Sequence, residues 1–228
     1  MTIWHTVTAA IYEATGHPFT LREATPVSGG DINASFRLHG RDGSSYFLKL
    51  NAAHHHDMFA AEAISLDVIA ATSTLHAPRP VAHGSTAQHS YLVLEFLELT
   101  ASGNARLLGE RLAAMHRGSA PNFGFQKNNF IGTTAQENTW RDNWTDFWRE
   151  QRLGVQLRLA AENGYAGELQ YPGEHLLDTL PALFEDHAPQ PSLLHGDLWG
   201  GNHAYLRDGT PTIFAQPPIM VIASATLP

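Results

Sequence analysis

Apolar residues recur at helical spacing at the start of the chain, and the pattern then changes to an alternation of apolar and polar residues. Residues 4–15 carry the helical pattern and stop at a Gly-His-Pro sequence, which predicts one helix. Residues 19–51 predict three strands, the first two joined by a glycine turn and the last two by a Gly-Arg-Asp-Gly hairpin. Residues 57–71 fit an amphipathic helix with Asp57 as its N-cap, and two more strands are predicted before residue 98.

Helical spacing dominates the second half of the chain. Residues 105–118 repeat apolar side chains at i, i+3 and i+4 and end at a glycine, which predicts a helix. Residues 119–139 are mostly polar and are predicted to form a long loop, of a length that is usually functional or disordered in a compact domain. Residues 140–164 predict one further helix. A strand-rich first half and a helix-rich second half indicate an α+β protein with two lobes, joined near residues 95–98.

The predicted helix over residues 140–164 has an aromatic side and a charged side. Its aromatic side chains fall on one broad face, which is typical of a stripe packed in the core. They are Trp140, Trp144, Phe147 and Trp148. The charged side chains of Arg149, Glu150 and Arg152 are interpreted as a face exposed to solvent.

The composition excludes several classes of function. The chain has 228 residues, a net charge of -8 and no cysteine. The negative charge argues against general binding to nucleic acid or to anionic membranes, and the lack of cysteine excludes disulfides and thiolate metal sites. No apolar run approaches the ~20 residues that span a bilayer, and no basic segment precedes the first apolar residues. We therefore expect a cytoplasmic protein, and a monomer.

Four features follow one another in the order of the parts with which kinases hold nucleotide phosphates. Gly29 and Gly30, in the turn between two strands, would let backbone N–H groups approach the phosphates without a Cβ in the way. Lys49, on a strand, would place a compact positive charge beside the α- and β-phosphates. Glu62, on the following helix, would hold that lysine by an ion pair.

The fourth feature is the sequence HGDLWGGN at residues 195–202, whose close spacing of residue types is more specific than the other three features. Asp197 would accept the proton of the attacking hydroxyl. Asn202 would bind a Mg²⁺ ion that bridges the phosphates, and His195 is expected to brace the loop. Together the four features predict a phosphotransferase that uses ATP and Mg²⁺.

The sequence HGDLWGGN resembles the catalytic loop of the fructosamine-3-kinase (ketosamine-3-kinase) family. The Asn-rich loop and Trp-rich segment over residues 123–160 are similar to a second hallmark of that family, and the GGDIN turn and the FLK strand match as well. The resemblance implies a protein-kinase-like fold with a small antiparallel sheet lobe and a mainly helical lobe. Residues 1–97 would form the nucleotide-binding lobe, and residues 98–214 a partial helical lobe that carries the catalytic loop.

The resemblance also implies a substrate. Members of this family phosphorylate the sugar 3-hydroxyl of a ketosamine, the adduct of a sugar with an amine, and the reaction reverses glycation. Trp199 would contact the sugar, and Asn128 and Asn129 would belong to a substrate-side loop. The expected partner is a ketosamine, either a small molecule or one attached to a protein.

The same resemblance extends the expected nucleotide site. Backbone groups of Glu95, Phe96 and Leu97 would meet the adenine, and Asn33, in the glycine turn, would belong to the cofactor site. Two other functions stay open. One is a small-molecule phosphotransferase of the aminoglycoside or choline kinase type, which shares the HGD-x4-N spacing but not usually the Trp-Gly-Gly run. The other is an inactive nucleotide-binding pseudokinase.

The end of the chain departs from the family pattern. Ala215 stands where the family has a Mg²⁺-binding aspartate, and alanine cannot bind a metal ion. Residues 215–228 are compatible with the loss of one base in that codon, because one choice of synonymous codons, read with the base restored, encodes residues that match the family pattern. We hypothesise that residues 215–228 are an aberrant, frameshifted tail of a truncated chain, and we expect reduced activity.

Overall fold

The computed structural model describes residues 2–28, 33–186, 188–214 and 219–222. Contacts divide the chain into two compact units. Unit 1 comprises residues 1–115, 130–132 and 195–218, and unit 2 comprises residues 116–129, 133–194 and 219–228. Both helices and antiparallel strands are present, so the predicted α+β class is confirmed. The predicted lobe boundary after Leu97 stays a prediction.

The described residues contain the following helices and strands. The helices are α1 (Ile3–Thr15), α2 (His56–Ala71), α3 (Ala105–His116), α4 (Trp144–Trp148), α5 (Gly154–Glu162) and α6 (Gln170–Thr179). The strands are β1 (Leu21–Pro26), β2 (Ala34–Gly40), β3 (Ser45–Ala52), β4 (Pro80–Ser85), β5 (His89–Glu95), β6 (Leu99–Thr100), β7 (Asn129–Ile131), β8 (Thr134–Gln136), β9 (Pro191–Leu194), β10 (His203–Leu206), β11 (Pro211–Ile213) and β12 (Ile219–Ile222). None of these helices combines the length and the apolar character that crossing a bilayer requires.

Unit 1 contains an antiparallel sheet of five strands in the order β1-β2-β3-β5-β4. Helix α1 covers one face of this sheet, where its buried side chains pack against Leu48 and Leu50. Helix α2 contacts β4 and β5. Lys49 lies between Leu48 and Leu50 on β3, and side chains alternate between the two faces of a strand. The lysine side chain therefore lies on the face opposite α1.

The ends of the first two helices test the predicted stop and start signals. Helix α1 ends as predicted, since Gly16 adopts the left-handed conformation with φ +70°. The prediction of Asp57 as the N-cap of α2 is wrong. A 3₁₀ turn at Ala53–His55 runs directly into α2, so His55 is the N-cap. Asp57 lies in the first turn, where its charge faces the positive end of the helix dipole.

A second sheet of unit 1 carries the segment that follows the HGDLWGGN sequence. Its strands are in the order β11-β10-β6. The carbonyl of His76, which follows α2, accepts a hydrogen bond from the N–H of Ile213 at 3.0 Å. The ring Nδ1 of His76 also lies 3.0 Å from the hydroxyl of Thr212. The segment that follows the HGDLWGGN sequence is therefore held by hydrogen bonds to the segment that follows α2.

The structure corrects two predictions made for the second half of the chain. The predicted loop over residues 119–139 contains β7 and β8, which flank a turn in which Gly132 has φ +59°. The helix predicted from Trp140 begins instead at Trp144, because Asn143 is its N-cap and accepts hydrogen bonds from the next turn. Trp140 precedes the helix and is 43% exposed, whereas Phe147 is fully buried. The aromatic core interpretation therefore does not extend to Trp140.

The helical segment of unit 2 is also interrupted. Residues Arg149–Leu153 form a π-helical turn between α4 and α5. Strand β9, which precedes the HGDLWGGN sequence, pairs in antiparallel fashion with β12. Strand β12 lies within residues 215–228, and the proposed frameshift of that tail stays a hypothesis.

Candidate active site

Lys49 and Glu62 form a buried ion pair in unit 1. Lys49 Nζ lies 2.5 Å from Glu62 Oε1, and the two side chains are 12% and 7% exposed. Strand β3 places the lysine on the α2 side of the sheet, and Glu62 lies among the buried residues of α2. The pair holds a positive charge in a fixed position where little water competes for it.

The glycine turn is only partly within the described residues. Gly29 and Gly30, the predicted phosphate-binding glycines, lie outside them. Asn33 is described, and its Oδ1 accepts a hydrogen bond from Asn51 Nδ2 at 2.7 Å. Asn51 is two residues beyond Lys49 on β3, so this bond attaches the end of the turn to the strand that carries the lysine.

The segment predicted to meet the adenine begins where the sheet ends. Glu95 is the last residue of β5 and pairs with Tyr46 of β3, so Phe96 and Leu97 lie beyond the ladder of strand hydrogen bonds. The backbone N–H of Glu95 donates to the carbonyl of Arg79 at 2.9 Å. The guanidinium of Arg37 lies 4.0 Å from the centroid of the Phe96 ring, a cation–π contact.

Asp197 and Asn202 contact each other directly within unit 1. Asn202 Nδ2 donates to the carbonyl of Asp197 at 2.8 Å and to its Oδ2 at 2.9 Å. The backbone of Asn202 is held on both sides, because its N–H donates to the carbonyl of Trp199 and its carbonyl accepts from the N–H of Phe214, each at 3.0 Å. The spacing of five residues thus closes a loop whose carboxylate has a fixed orientation.

His195 is buried behind this loop. The residue is only 2% exposed, and its Nδ1 accepts a hydrogen bond from the N–H of Asp197 at 3.4 Å. Burial lowers the pKa of His195, although the charge of Asp197 and a hydrogen bond with the backbone of Phe214 act in the opposite direction. A neutral ring that supports the loop agrees with the expected bracing role.

Trp199 and the two asparagines predicted to meet the substrate lie in different surroundings. Trp199 is 64% exposed in unit 1. A Cβ at Gly201 would lie 2.4 Å from Cζ2 of that indole, so glycine at 201 allows the ring to cover the backbone. In unit 2, Asn129 is 1% exposed, and Asn128 Oδ1 accepts a hydrogen bond from the N–H of Asn138 at 2.9 Å.

The interpretation of Arg152 as a solvent-exposed residue is wrong. Its Nη2 donates to Asn138 Oδ1 at 2.5 Å, and the side chain, which lies in the π-helical turn, is partly buried. Glu150 is exposed, as expected, and pairs with Arg141. Asn138 and Arg152 were therefore missed by the sequence pattern, because hydrogen bonds from a charged side chain to neutral oxygens leave no charge complementarity to detect.

The chain is similar to known proteins over most of its length. A sequence model described as fructosamine kinase matches residues 3–219. A probable ketoamine kinase of Synechocystis is 45% identical over 214 residues, which cover 92% of this chain and 71% of that protein. A chloroplastic protein-ribulosamine 3-kinase of Arabidopsis thaliana is 38% identical over 191 residues, which cover 82% of this chain and 58% of that protein. The chain thus spans less than two thirds of the plant relative.

Solved structures show the same fold. A protein of Haemophilus somnus assigned as a fructosamine-3-kinase has a TM-score of 0.85 and 25% identity, covering 96% of this chain and 73% of its own. A second protein so assigned, from Thermobifida fusca, has a TM-score of 0.75 and 28% identity, and the match covers 95% of this chain and 74% of that protein. An aminoglycoside phosphotransferase of Streptomyces rimosus, solved with ADP and streptomycin, has a TM-score of 0.52 and 14% identity, and the match covers 97% of this chain and 76% of that protein. At this identity the similarity shows the fold alone. The expected protein-kinase-like fold is confirmed.

Proposed function

The chain belongs to the fructosamine kinase family, whose members are phosphotransferases, and from that premise we propose that it transfers the γ-phosphoryl group of ATP to the sugar 3-hydroxyl of a ketosamine. The observation that carries this proposal is the contact between Asp197 and Asn202, in which one amide group orients a carboxylate. The names of the relatives, ketoamine kinase and protein-ribulosamine 3-kinase, support the substrate class.

Asp197 acts as the general base in this proposal. Its Oδ2 already accepts a hydrogen bond from Asn202, which leaves lone pairs of the carboxylate for a substrate hydroxyl. As the hydroxyl oxygen bonds to the γ-phosphorus, the bond from that phosphorus to the departing ADP oxygen breaks, and the hydroxyl proton passes to Asp197. His195 is a poor candidate for the same task, because its ring is buried and its Nδ1 is occupied by the N–H of Asp197.

Lys49 neutralises the α- and β-phosphates in this proposal, and Glu62 keeps the lysine in position before the nucleotide arrives. Gly29 and Gly30, which lie outside the described residues, and Asn33 would contribute to phosphate binding. The backbone of residues 95–97, free of strand pairing beyond Glu95, binds the adenine.

The side chain of Asn202 has an oxygen atom of the kind that binds Mg²⁺. Its Nδ2 is committed to Asp197, so the amide oxygen is the atom that remains for a hard cation, and Mg²⁺ prefers oxygen ligands. When bound, the ion would neutralise charge on the phosphates. No group of three His, Asp or Glu side chains able to hold a metal occurs in the described part of the chain. Because Ala215, outside that part, cannot supply a second ligand, we expect weak Mg²⁺ binding and slow transfer.

The substrate side of the proposal uses Trp199, Asn128 and Asn129. The exposed indole offers an apolar surface to a sugar, and the asparagines belong to a braced loop. Phosphorylation would lead to breakdown of the ketosamine and thus to removal of the sugar from the amine, which is a repair of glycation. Ketosamines on protein lysines as well as on free amines are included, since one relative is named for a protein-bound substrate.

The test is ATP-dependent phosphorylation of fructosyl-lysine and ribulosyl-lysine by three proteins: this chain, its Asp197→Asn variant and a version with the base restored in the codon of Ala215. We expect transfer to be fastest in the restored version and to fall about 10²–10⁴-fold on Asp197→Asn, the contribution of a general base. Nucleotide binding, measured by calorimetry, should be kept in Asp197→Asn.

Aminoglycosides and choline serve as competing substrates in the same assay. Faster transfer to either of them would replace the ketosamine by that substrate class. Binding of ATP without transfer by the restored version would favour the pseudokinase alternative. Equal rates for this chain and the restored version would contradict the loss of activity expected from Ala215.

A further inference from the structure

Arg152 is a partly buried cation of unit 2 for which phosphoryl transfer provides no role. Its Nη1 donates to the carbonyl of Glu137 at 2.8 Å, and its Nη2 donates to Asn138 Oδ1 at 2.5 Å. Its guanidinium carbon lies 4.5 Å from the centroid of the Phe147 ring. The side chain therefore connects the helical segment to the C-terminal end of the loop over residues 127–138.

Asn138 is the residue on which these contacts converge. It is fully buried. Its N–H donates to Asn128 Oδ1 at 2.9 Å, and its Nδ2 donates to the carbonyl of Lys127 at 3.1 Å. Its own carbonyl accepts the N–H of Phe125 at 2.9 Å. The two ends of the loop are thus closed onto each other at Asn138, and Arg152 binds its side-chain oxygen.

The π-helical turn gives Arg152 its direction. The N–H of Gly154 donates to the carbonyl of Arg149, five residues earlier, as in a π-helix. A Cβ at position 154 would lie 2.3 Å from that oxygen, so this wide turn requires glycine. Gln151, in the same turn, donates from Nε2 to the carbonyl of Thr139 at 2.9 Å. Two successive side chains of the turn therefore hold residues 137–139.

The charge of Arg152 is not neutralised by any carboxylate among the residues that the structure describes. Burial lowers its pKa to about 10, so the guanidinium stays charged at neutral pH. A buried cation with neutral acceptors loses hydration without gaining an ion pair. What the guanidinium supplies is a planar fork that binds two acceptors in fixed geometry, which a lysine does not.

We propose that Arg152 is a positioning residue that, through Asn138, holds the loop over residues 127–138 in the conformation that binds the ketosamine. The contacts from Arg152 to Asn138 and from Asn138 to Asn128 form one continuous chain of hydrogen bonds. The link from this loop to the ketosamine rests on the function proposed above.

The test compares Arg152→Met and Arg152→Lys with Arg158→Met, which removes an exposed arginine of α5. Amide hydrogen exchange over residues 127–138 should accelerate roughly tenfold or more in Arg152→Met, because hydrogen bonds to a charged group are lost. It should accelerate less in Arg152→Lys, which keeps one donor, and remain at the wild-type rate in Arg158→Met. Equal exchange in all variants would overturn the brace, whatever the substrate.

Calorimetry of fructosyl-lysine binding in the presence of ADP provides the second measurement. The dissociation constant for fructosyl-lysine should rise about tenfold in Arg152→Met, whereas that for ADP should stay unchanged. Faster exchange with unchanged fructosyl-lysine affinity would overturn the positioning role. Absence of fructosyl-lysine binding in the wild-type chain would instead count against the proposed substrate, and the brace would then be judged by hydrogen exchange alone.

Discussion

Lys49 in unit 1 and Arg152 in unit 2 are both cations largely removed from water, but their surroundings balance the charge in different ways. Lys49 lies 2.5 Å from a carboxylate that is itself buried. Arg152 binds a backbone carbonyl and an amide oxygen, and no acid of the described residues faces it. An ammonium that pairs with one carboxylate oxygen keeps two further N–H donors, which the proposed function assigns to phosphate, whereas the fork of a guanidinium can hold neutral oxygens in fixed geometry.

The largest expected effect comes from removing Lys49. In Lys49→Met, Glu62 becomes a buried carboxylate without its partner, which is expected to cost about 3–5 kcal/mol of unfolding free energy. Loss of the phosphate-binding charge should lower kcat by about 10²–10³-fold. Urea unfolding and ATP-dependent phosphorylation of fructosyl-lysine are the measurements.

The double variant Lys49→Met/Glu62→Leu separates the two effects. It should recover most of the lost stability, because no unpaired charge remains, yet it should stay as inactive as Lys49→Met. Recovery of both stability and activity would mean that the ion pair has no role in phosphoryl transfer.

A smaller effect is expected from adding one methyl group to the π-helical turn beside Arg152. Alanine normally stabilises a helix relative to glycine, but Gly154→Ala would place its Cβ 2.3 Å from the carbonyl oxygen of Arg149. We expect a loss of about 1–3 kcal/mol, the usual cost of overpacking, in thermal unfolding.

The matched control is Gly109→Ala, in helix α3, where a Cβ would meet no atom within 4 Å. It should stabilise the chain by about 0.5–1 kcal/mol. If the two substitutions changed stability in the same direction, the π-helical turn would not constrain the position of Arg152 as described.

The smallest effect concerns His195, a third buried basic group and one that stays neutral. Because burial lowers its folded-state pKa below the value of 6.5 for an unperturbed histidine, the unfolded chain takes up the proton more readily. Its contribution to stability is therefore present above pH 6.5 and is lost as the pH falls below that value.

The measurement is the difference in unfolding free energy between the wild-type chain and His195→Gln as a function of pH. The wild type should be more stable at neutral pH, and the difference should shrink as the medium is acidified. A difference for His195→Gln that grows in acid would reverse the assigned direction of the pKa shift.

The sequence pattern predicted the elements that depend on neighbours along the chain. The strands of unit 1 follow from alternation and turn residues, and the end of α1 follows from Gly16. The starts of helices were less predictable. Asp57 is a good N-cap type but lies two residues after the N-cap His55, and Asn143 rather than Trp140 marks the start of α4, because the local choice of a cap depends on how the preceding segment enters the helix.

Some residues of the candidate site could be predicted from the sequence, and others could not. Four candidate residues belong to a motif order that is visible in the sequence. In the structure, Lys49 forms an ion pair with Glu62, and Asn202 forms a hydrogen bond with Asp197. Their catalytic roles, like the monomeric state and the cytoplasmic location, stay predictions. Asn138 and Arg152 carry no pattern of their own, since their contacts join residues separated by a loop and a π-helical turn.

By itself, then, the amino-acid sequence determined the α+β class, the family and the residue types of the segments proposed to bind nucleotide and to transfer phosphate, because these depend on periodicity, turn chemistry and short motifs. Only the tertiary structure decided that Lys49 is neutralised by a carboxylate, that no carboxylate among the described residues pairs with Arg152, and that His195 is buried with a lowered pKa. Burial and distance determine how a charge is stabilised, and both arise only when segments distant in the chain pack together.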